Sequence, residues 1–230
     1  MKLAVIVPCL NEAATIDAAL ERLATLRARG CAVIVVDGGS SDDTVRRAAP
    51  LADRVLCAPR GRALQMNAGA RDEMARSADV LLFLHADTAL PPDADRVVLR
   101  ALANSSRRWG RFDVAIDGRS RWLPWIARMM NLRSRLTGIC TGDQALFVER
   151  GTFLALEGYA PIALFEDIDF CRRARRITPP LALRDRVVTS GRRWERRGVW
   201  RTVLLMWGLR LAYFLGADPE RLARRYGDAR

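Results

Sequence analysis

The sequence predicts an α/β protein with a mostly parallel sheet flanked by helices and with C-terminal amphipathic helices. Three observations predict it. Fully apolar runs recur at residues 3–7, 31–36 and 80–84. Helix-like segments separate them, and each run ends in polar or turn-forming residues. Continuous apolar strands alternating with helices belong to a parallel sheet covered on both faces.

Each element has a local reason. The first run is ended by Pro8, after which Ile16, Leu20, Leu23 and Ala24 recur at helical spacing until Gly30. The second run ends in the turn cluster Asp37-Gly38-Gly39-Ser40-Ser41-Asp42-Asp43, and Asp43-Thr44 opens a short helix. Residues 54–58 read as a third strand, 62–76 as a helix and 80–84 as a fourth strand ended by His85-Ala86-Asp87. Further on, 112–116 and 144–148 read as strands, and 181–189 alternates like an edge strand. Helical stretches are expected at 121–136, at 166–176 (acids first, bases last) and along the apolar segment 199–215. No repeat or linker divides the chain, so its 230 residues are expected to form a single domain.

Half the residues are hydrophobic and 28% are charged, a globular composition. The first residues run directly into a strand, predicting no cleaved leader. Five cysteines without a paired framework point to a reducing, cytoplasmic setting. Charge is uneven. Residues 1–106 carry thirteen basic and thirteen acidic groups, whereas 107–230 carry 25 against 13 and supply the whole net charge of +12. A basic half attracts anionic lipid, nucleic acid or phosphorylated ligands.

In parallel sheets, ligands bind beyond the carboxyl ends of the strands. Asp37 and Asp87 both fall there. Asp87 is the metal-ligand candidate, because carboxylates hold the divalent cations that accompany phosphates. His85, the only histidine, reads first as a satisfied core residue and second as a substrate contact. Glu166, Asp167 and Asp169 suit a helix start through the macrodipole. Crowded carboxylates also suit a general base. Arg60-Gly61-Arg62 before a helix reads as an anion site or as solvated surface arginines. Arg192-Arg193-Trp194 carries the same two readings.

Taken together, these segments resemble the family 2 glycosyltransferases of the GT-A fold over nearly the whole chain. Ile6-Val7-Pro8-Cys9-Leu10-Asn11-Glu12 is similar to the family's first-strand signature. Val36-Asp37-Gly38-Gly39-Ser40-Ser41-Asp42-Asp43-Thr44 is similar to its second, which implies that Asp37 contacts the nucleotide. His85-Ala86-Asp87 stands at the DxD-type motif, with His85 replacing the first aspartate. Phe165-Glu166-Asp167 matches the catalytic-base segment, implying Asp167 as base with Glu166 beside it. Ser190-Gly191-Arg192-Arg193-Trp194 resembles the Arg-Trp motif of some members. The resemblance implies an inverting transferase using Mg2+ or Mn2+ held by Asp87. Its nucleotide-sugar site would comprise Pro8, Asn11, Glu12, Asp37, Gly38, Arg62, Asn67, His85, Ala86, Asp87, Arg193 and Trp194. Imidazole at position 85 favours Mn2+ over Mg2+.

The match looks closest to a small subgroup labelled radical-SAM/selenodomain-associated transferases. It rests on Gly61-Arg62-Ala63-Leu64-Gln65-Met66-Asn67-Ala68-Gly69, Leu84-His85-Ala86-Asp87-Thr88 and Thr141-Gly142-Asp143-Gln144-Ala145. Similar sequences labelled carotenoid-acid glycosyltransferases imply a lipid acceptor taking the sugar on a hydroxyl or carboxyl. On this reading 1–106 is the nucleotide-binding half and 107–230 the acceptor-binding half.

No stretch reaches the roughly 18 uninterrupted apolar residues of a spanning helix. Trp122, Trp125, Ile126, Met129 and Met130 lie on one side of 121–136 with arginines around them. That pattern fits either a core-covering helix or peripheral attachment to the inner face of a membrane. Two rival classes remain: a sugar nucleotidyltransferase, and a non-catalytic protein binding lipid or nucleic acid. The first lacks a Gly-rich, lysine-bearing loop after strand one, and the second leaves the strand-end aspartates unexplained. A Rossmann dehydrogenase is excluded by the absence of GxGxxG, and nucleic acid is not expected as a partner.

Overall fold

The computed structural model describes residues 1–228, apart from the side chains of Arg193, Arg196, Arg197 and Asp228. Its strands are β1 (Leu3–Cys9), β2 (Ala32–Asp37), β3 (Arg54–Cys57), β4 (Val80–Phe83), β5 (Thr88–Ala89), β6 (Trp109–Asp117), β7 (Leu146–Glu149) and β8 (Leu181–Ser190). They form one sheet in the order β3-β2-β1-β4-β7-β6-β8-β5. The first four strands are parallel. Beyond them the sheet is mixed, because β7 runs antiparallel to both β4 and β6, and β8 is parallel to β6.

The apolar runs are buried on both faces, and the period-two geometry of a strand divides them. Leu3, Val5 and Val7 pack with Val33, Val35, Leu82 and the helical Ile16, Leu20 and Leu26. Ala4 and Ile6 point the other way, with Ile34, Val36, Leu81 and the helical Met66 and Ala70. Gly69 lets the helix Arg62–Arg71 approach this second face, since a Cβ there would overlap Ile6.

Four elements differ from expectation. The helix expected over 62–76 is broken at Asp72, which turns extended (ψ 151°) and caps Glu73–Arg76 by accepting from the Met74 N–H at 2.9 Å. Strand β8 is an edge along most of its length, but Thr88 and Ala89 pair with Thr189 and Val188 at its far end. The helices Ala94–Ala103 and Pro219–Asp228 were not anticipated. Ala94, Val98 and Leu102 sit one turn apart and bury the former against the sheet.

Strand β1 has β2 on one side and β4 on the other, so the chain reverses its direction of winding there. A crevice at such a switch point, outside the carboxyl ends of the strands, is where open α/β sheets place ligands. Here it lies between Pro8-Cys9 and His85-Ala86-Asp87.

Candidate functional site

A polar cavity of about 510 Å3 occupies this crevice. Pro8, Cys9 and Glu12 reach it from the end of β1, and His85, Ala86 and Asp87 from the end of β4. Arg60, Gly61 and Arg62 line it at the start of the helix Arg62–Arg71, while Glu166 and Tyr226 close the opposite side. Burial alone would lower the Arg62 pKa, but the charges of Glu166, Tyr226, Asp143 and Asp87 outweigh it and hold the group above its usual value. A permanently charged guanidinium beside a helix N-terminus suits a phosphorylated ligand.

A second, apolar groove of about 300 Å3 adjoins the first. Trp125, Ile126, Met129 and Met130 of the helix Leu123–Thr137 form one wall. Val203, Met206 and Trp207 of the helix Val199–Phe214 form the other. Its polar end carries Asp87, Thr141, Asp143, Thr189 and Ser190. Asp87 therefore lines both cavities.

Glu166 and Asp167 open the helix Glu166–Ala174. The preceding Phe165 adopts φ +70°, a conformation that costs energy for any residue with a Cβ and recurs at functional sites. Its ring is buried against Tyr213, with centroids 5.2 Å apart. Asp167 accepts from the Gly142 N–H at 3.0 Å and from the Ile168 N–H at 2.7 Å. Burial, followed by the charge of Glu166, pushes its carboxyl up to about 7. The two N–H donors and His85 act in the opposite direction. Asp167 lines neither cavity, but its neighbour Glu166 faces the polar one, and Thr141 and Asp143, on either side of Gly142, face the groove. His85 contacts Asp143 through Nδ1 at 3.2 Å, and its ring lies against Gly142.

The structure thus brings Pro8, Glu12, Arg62, His85, Ala86, Asp87 and Glu166 together at one cavity. Other expected site residues do not reach it. Asp37 is buried and its carboxylate organises its own turn, accepting from the Gly39 and Ser40 N–H groups, both at 2.9 Å, and from the Ser40 hydroxyl. Gly38 packs on Gln65, which donates to the carbonyls of Cys9 and Val36 and so ties β1 to β2. Asn11, at φ +54°, braces the same turn by accepting from the Ser41 N–H at 2.9 Å. Asn67 is buried away from both cavities, clamping Tyr159 through its N–H (2.9 Å) and carbonyl (2.8 Å). Trp194 lines the apolar groove rather than the polar cavity, and the Arg193 side chain lies outside the described residues.

Sequence reasoning assigned no role to Gly142, Asp143, Gln65, Arg133 or Tyr226. The first two stood inside the quoted segment Thr141-Gly142-Asp143-Gln144. Arg133 was visible only as one arginine beside an amphipathic stripe.

Among the described residues, no three His, Cys, Asp or Glu side chains converge as a metal cage. His85 is held by Asp143 through Nδ1 and lies against Gly142, and the carboxylates lining the polar cavity are Glu12, Asp87 and Glu166, of which Asp87 also lines the groove. That donor set fits Mg2+ or Mn2+ arriving with a phosphorylated ligand, since these cations take one or two carboxylates and complete their shells with phosphate oxygens and water.

An open sheet with an arginine-bearing polar cavity at its switch point is the arrangement in which α/β proteins take phosphorylated ligands across their strand ends. Comparison with known proteins narrows this. The model of glycosyl transferase family 2 matches residues 4–153, and the chain belongs to that family. It is 35% identical over 109 residues to the succinoglycan biosynthesis protein ExoA of Rhizobium meliloti (strain 1021), covering 44% of this chain and 33% of the relative. The chain therefore spans about a third of that relative's length.

Its GT-A-like fold is shared with the S. aureus TarS 1-349 structure in complex with UDP. That match has a TM-score of 0.65 and 18% identity, and covers 83% of this chain and 60% of that one. The glucosyl-3-phosphoglycerate synthase of Mycobacterium tuberculosis, solved with Mn2+, UDP and glucosyl-3-phosphoglycerate, matches with a TM-score of 0.60 and 20% identity. It covers 82% of this chain and 70% of that one.

Proposed function

We propose that this protein is an inverting glycosyltransferase, taking a sugar from a nucleotide diphosphate in the polar cavity and passing it to an acceptor in the apolar groove. The observation that carries this reading is Asp87, which lines both cavities and so stands where donor and acceptor would meet. Family membership and the UDP complexes of the structural neighbours support a nucleotide-sugar donor.

Arg60 and Arg62 would hold the diphosphate, with the N-terminus of the helix Arg62–Arg71 behind them. Asp87 would hold a divalent cation together with the donor phosphates. When bound, that cation neutralises charge on the diphosphate leaving group. Asp167 is the general base. A carboxyl with a pKa of about 7 is ionised in part at neutral pH and accepts a proton more readily than an ordinary aspartate. Its two N–H donors occupy two of about four lone-pair sites, leaving capacity for a hydroxyl. The acceptor oxygen loses its proton to Asp167 and attacks the anomeric carbon. The bond to the diphosphate breaks on the opposite side.

The groove supports an apolar, lipid-like acceptor. Among the described residues, no helix is long and apolar enough to cross a membrane. Trp125, Trp200, Leu204, Trp207 and Leu211 are nonetheless exposed on the two groove-forming helices, as is Trp122 at the N-cap of the first. Apolar side chains around a groove mouth, on a chain of net charge +12, support peripheral docking to an anionic membrane.

Product analysis with labelled nucleotide sugar tests the reading. Free nucleoside diphosphate is expected. Pyrophosphate exchange would identify a nucleotidyltransferase instead, and no turnover of any nucleotide sugar would leave only binding.

A further inference from the structure

Arg133 projects from the helix Leu123–Thr137 into the wall between two spaces. One is the apolar groove. The other is a neighbouring cleft of about 460 Å3 lined by Arg133, Arg172, Arg175 and Arg210 with Trp207 and Phe214. Arg133, Trp207 and Arg210 line both. Among the described residues, all three guanidinium nitrogens of Arg133 are shielded from water and have no hydrogen-bond partner. Burial accordingly pulls its pKa below the usual arginine value. Asp167 is the carboxylate whose charge acts most on it, yet the two share no hydrogen bond.

A buried guanidinium without acceptors is costly, because it has lost its water and gained nothing in return. Its planar donor fork matches a carboxylate or phosphate. Among the described residues, no carboxylate lines the arginine cleft, so an incoming anion meets positive charge there.

We infer that Arg133 is an anion-binding residue of the acceptor site, which takes an amphiphile whose carboxylate or phosphate pairs with the guanidinium while its apolar chain fills the groove beside Trp125, Met129 and Met206. This rests on the reading of the groove as the acceptor site. It adds a positioning residue and a charge requirement to that reading. An acceptor held at both ends presents its reactive oxygen to the Asp87 end of the groove in one orientation, which is how binding geometry contributes to rate.

The test uses the whole chain and four probes: decanoate, decyl phosphate, decanol and inorganic phosphate. Binding is read from tryptophan fluorescence, since Trp125 and Trp207 line the groove. The wild-type protein is expected to bind decanoate and decyl phosphate about tenfold or more tighter than decanol, the scale of a charge-assisted hydrogen bond. Arg133→Met should bring all three decyl probes together, and Arg133→Lys should keep part of the preference. UDP binding should stay unchanged in both variants, showing that they are folded.

Equal affinity of the wild-type protein for decanol and decanoate would overturn the inference, as would an undiminished preference in Arg133→Met. Inorganic phosphate binding as tightly as decyl phosphate would also overturn it, because the tail would then contribute nothing. Nucleotide-sugar turnover separates this inference from the reading beneath it. Turnover without an anion preference defeats Arg133 alone. A preference that depends on Arg133, without turnover, defeats the transferase reading and leaves the anion site standing.

Discussion

The backbone N–H of Gly142 donates to Asp167 at 3.0 Å, and the same residue lies against the Nε2–Cε1 side of the His85 ring. One glycine thereby joins the two motifs that sequence reasoning could only place separately, His85-Ala86-Asp87 and Glu166-Asp167. A Cβ at position 142 would overlap the imidazole.

Gly142→Ala is therefore expected to displace His85 and weaken the Asp167 contact. Overpacking of this kind costs about 1–3 kcal/mol. Denaturant melts should show that loss, and His85→Ala in the same chain should restore most of it by opening space. No rescue by the second change would refute the steric account.

Asp167→Asn should lower sugar transfer by roughly 100- to 10,000-fold, the usual contribution of a general base. UDP binding should persist. In the wild-type protein, activity should rise with pH and level off above about 7, where the carboxylate is ionised. Full turnover by the variant would remove Asp167 from the mechanism.

The same carboxyl links stability to pH. Its folded-state pKa is raised from 3.8 to about 7, so the folded chain keeps a proton that the unfolded chain releases. Stability from this group is highest at low pH and falls as pH rises from about 4 to about 7. Melts of Asp167→Asn across that window should lack this component of the slope. An identical slope in both proteins would contradict the assignment.

Asn67 separates clamping from ligand contact. Both ends of its amide bind the backbone of Tyr159 in a buried setting. Asn67→Ala should cost about 2–5 kcal/mol, because it leaves two buried backbone groups unpaired. UDP affinity of the folded fraction should not change. A selective loss of UDP binding without loss of stability would show that Asn67 touches the donor after all.

Exposed apolar residues on the groove helices should carry vesicle binding. Leu204→Glu with Leu211→Glu places charge on side chains that line neither cavity. Flotation with anionic vesicles at moderate salt should lose the variant and retain the wild-type protein. Absence of wild-type binding would argue against peripheral attachment.

Sequence by itself determined the strands β1, β2 and β4, the strand-end position of Asp87 and the helix start at Glu166-Asp167. These depend on local chemistry: apolar runs, turn residues at their ends, and acids favoured at a helix N-terminus. Tertiary structure decided what each polar group does. Asp37 and Asp87 both follow parallel strands, yet Asp37 binds its own turn and Asp87 faces two cavities. Asn67 sits in the same segment as Arg62, but its partner is Tyr159, 92 residues away. The apolar groove needs two helices separated by more than sixty residues, and the unpaired Arg133 is visible only once that packing excludes water from it. A side chain's type is local, but its burial and partners are set by whatever the rest of the chain brings against it.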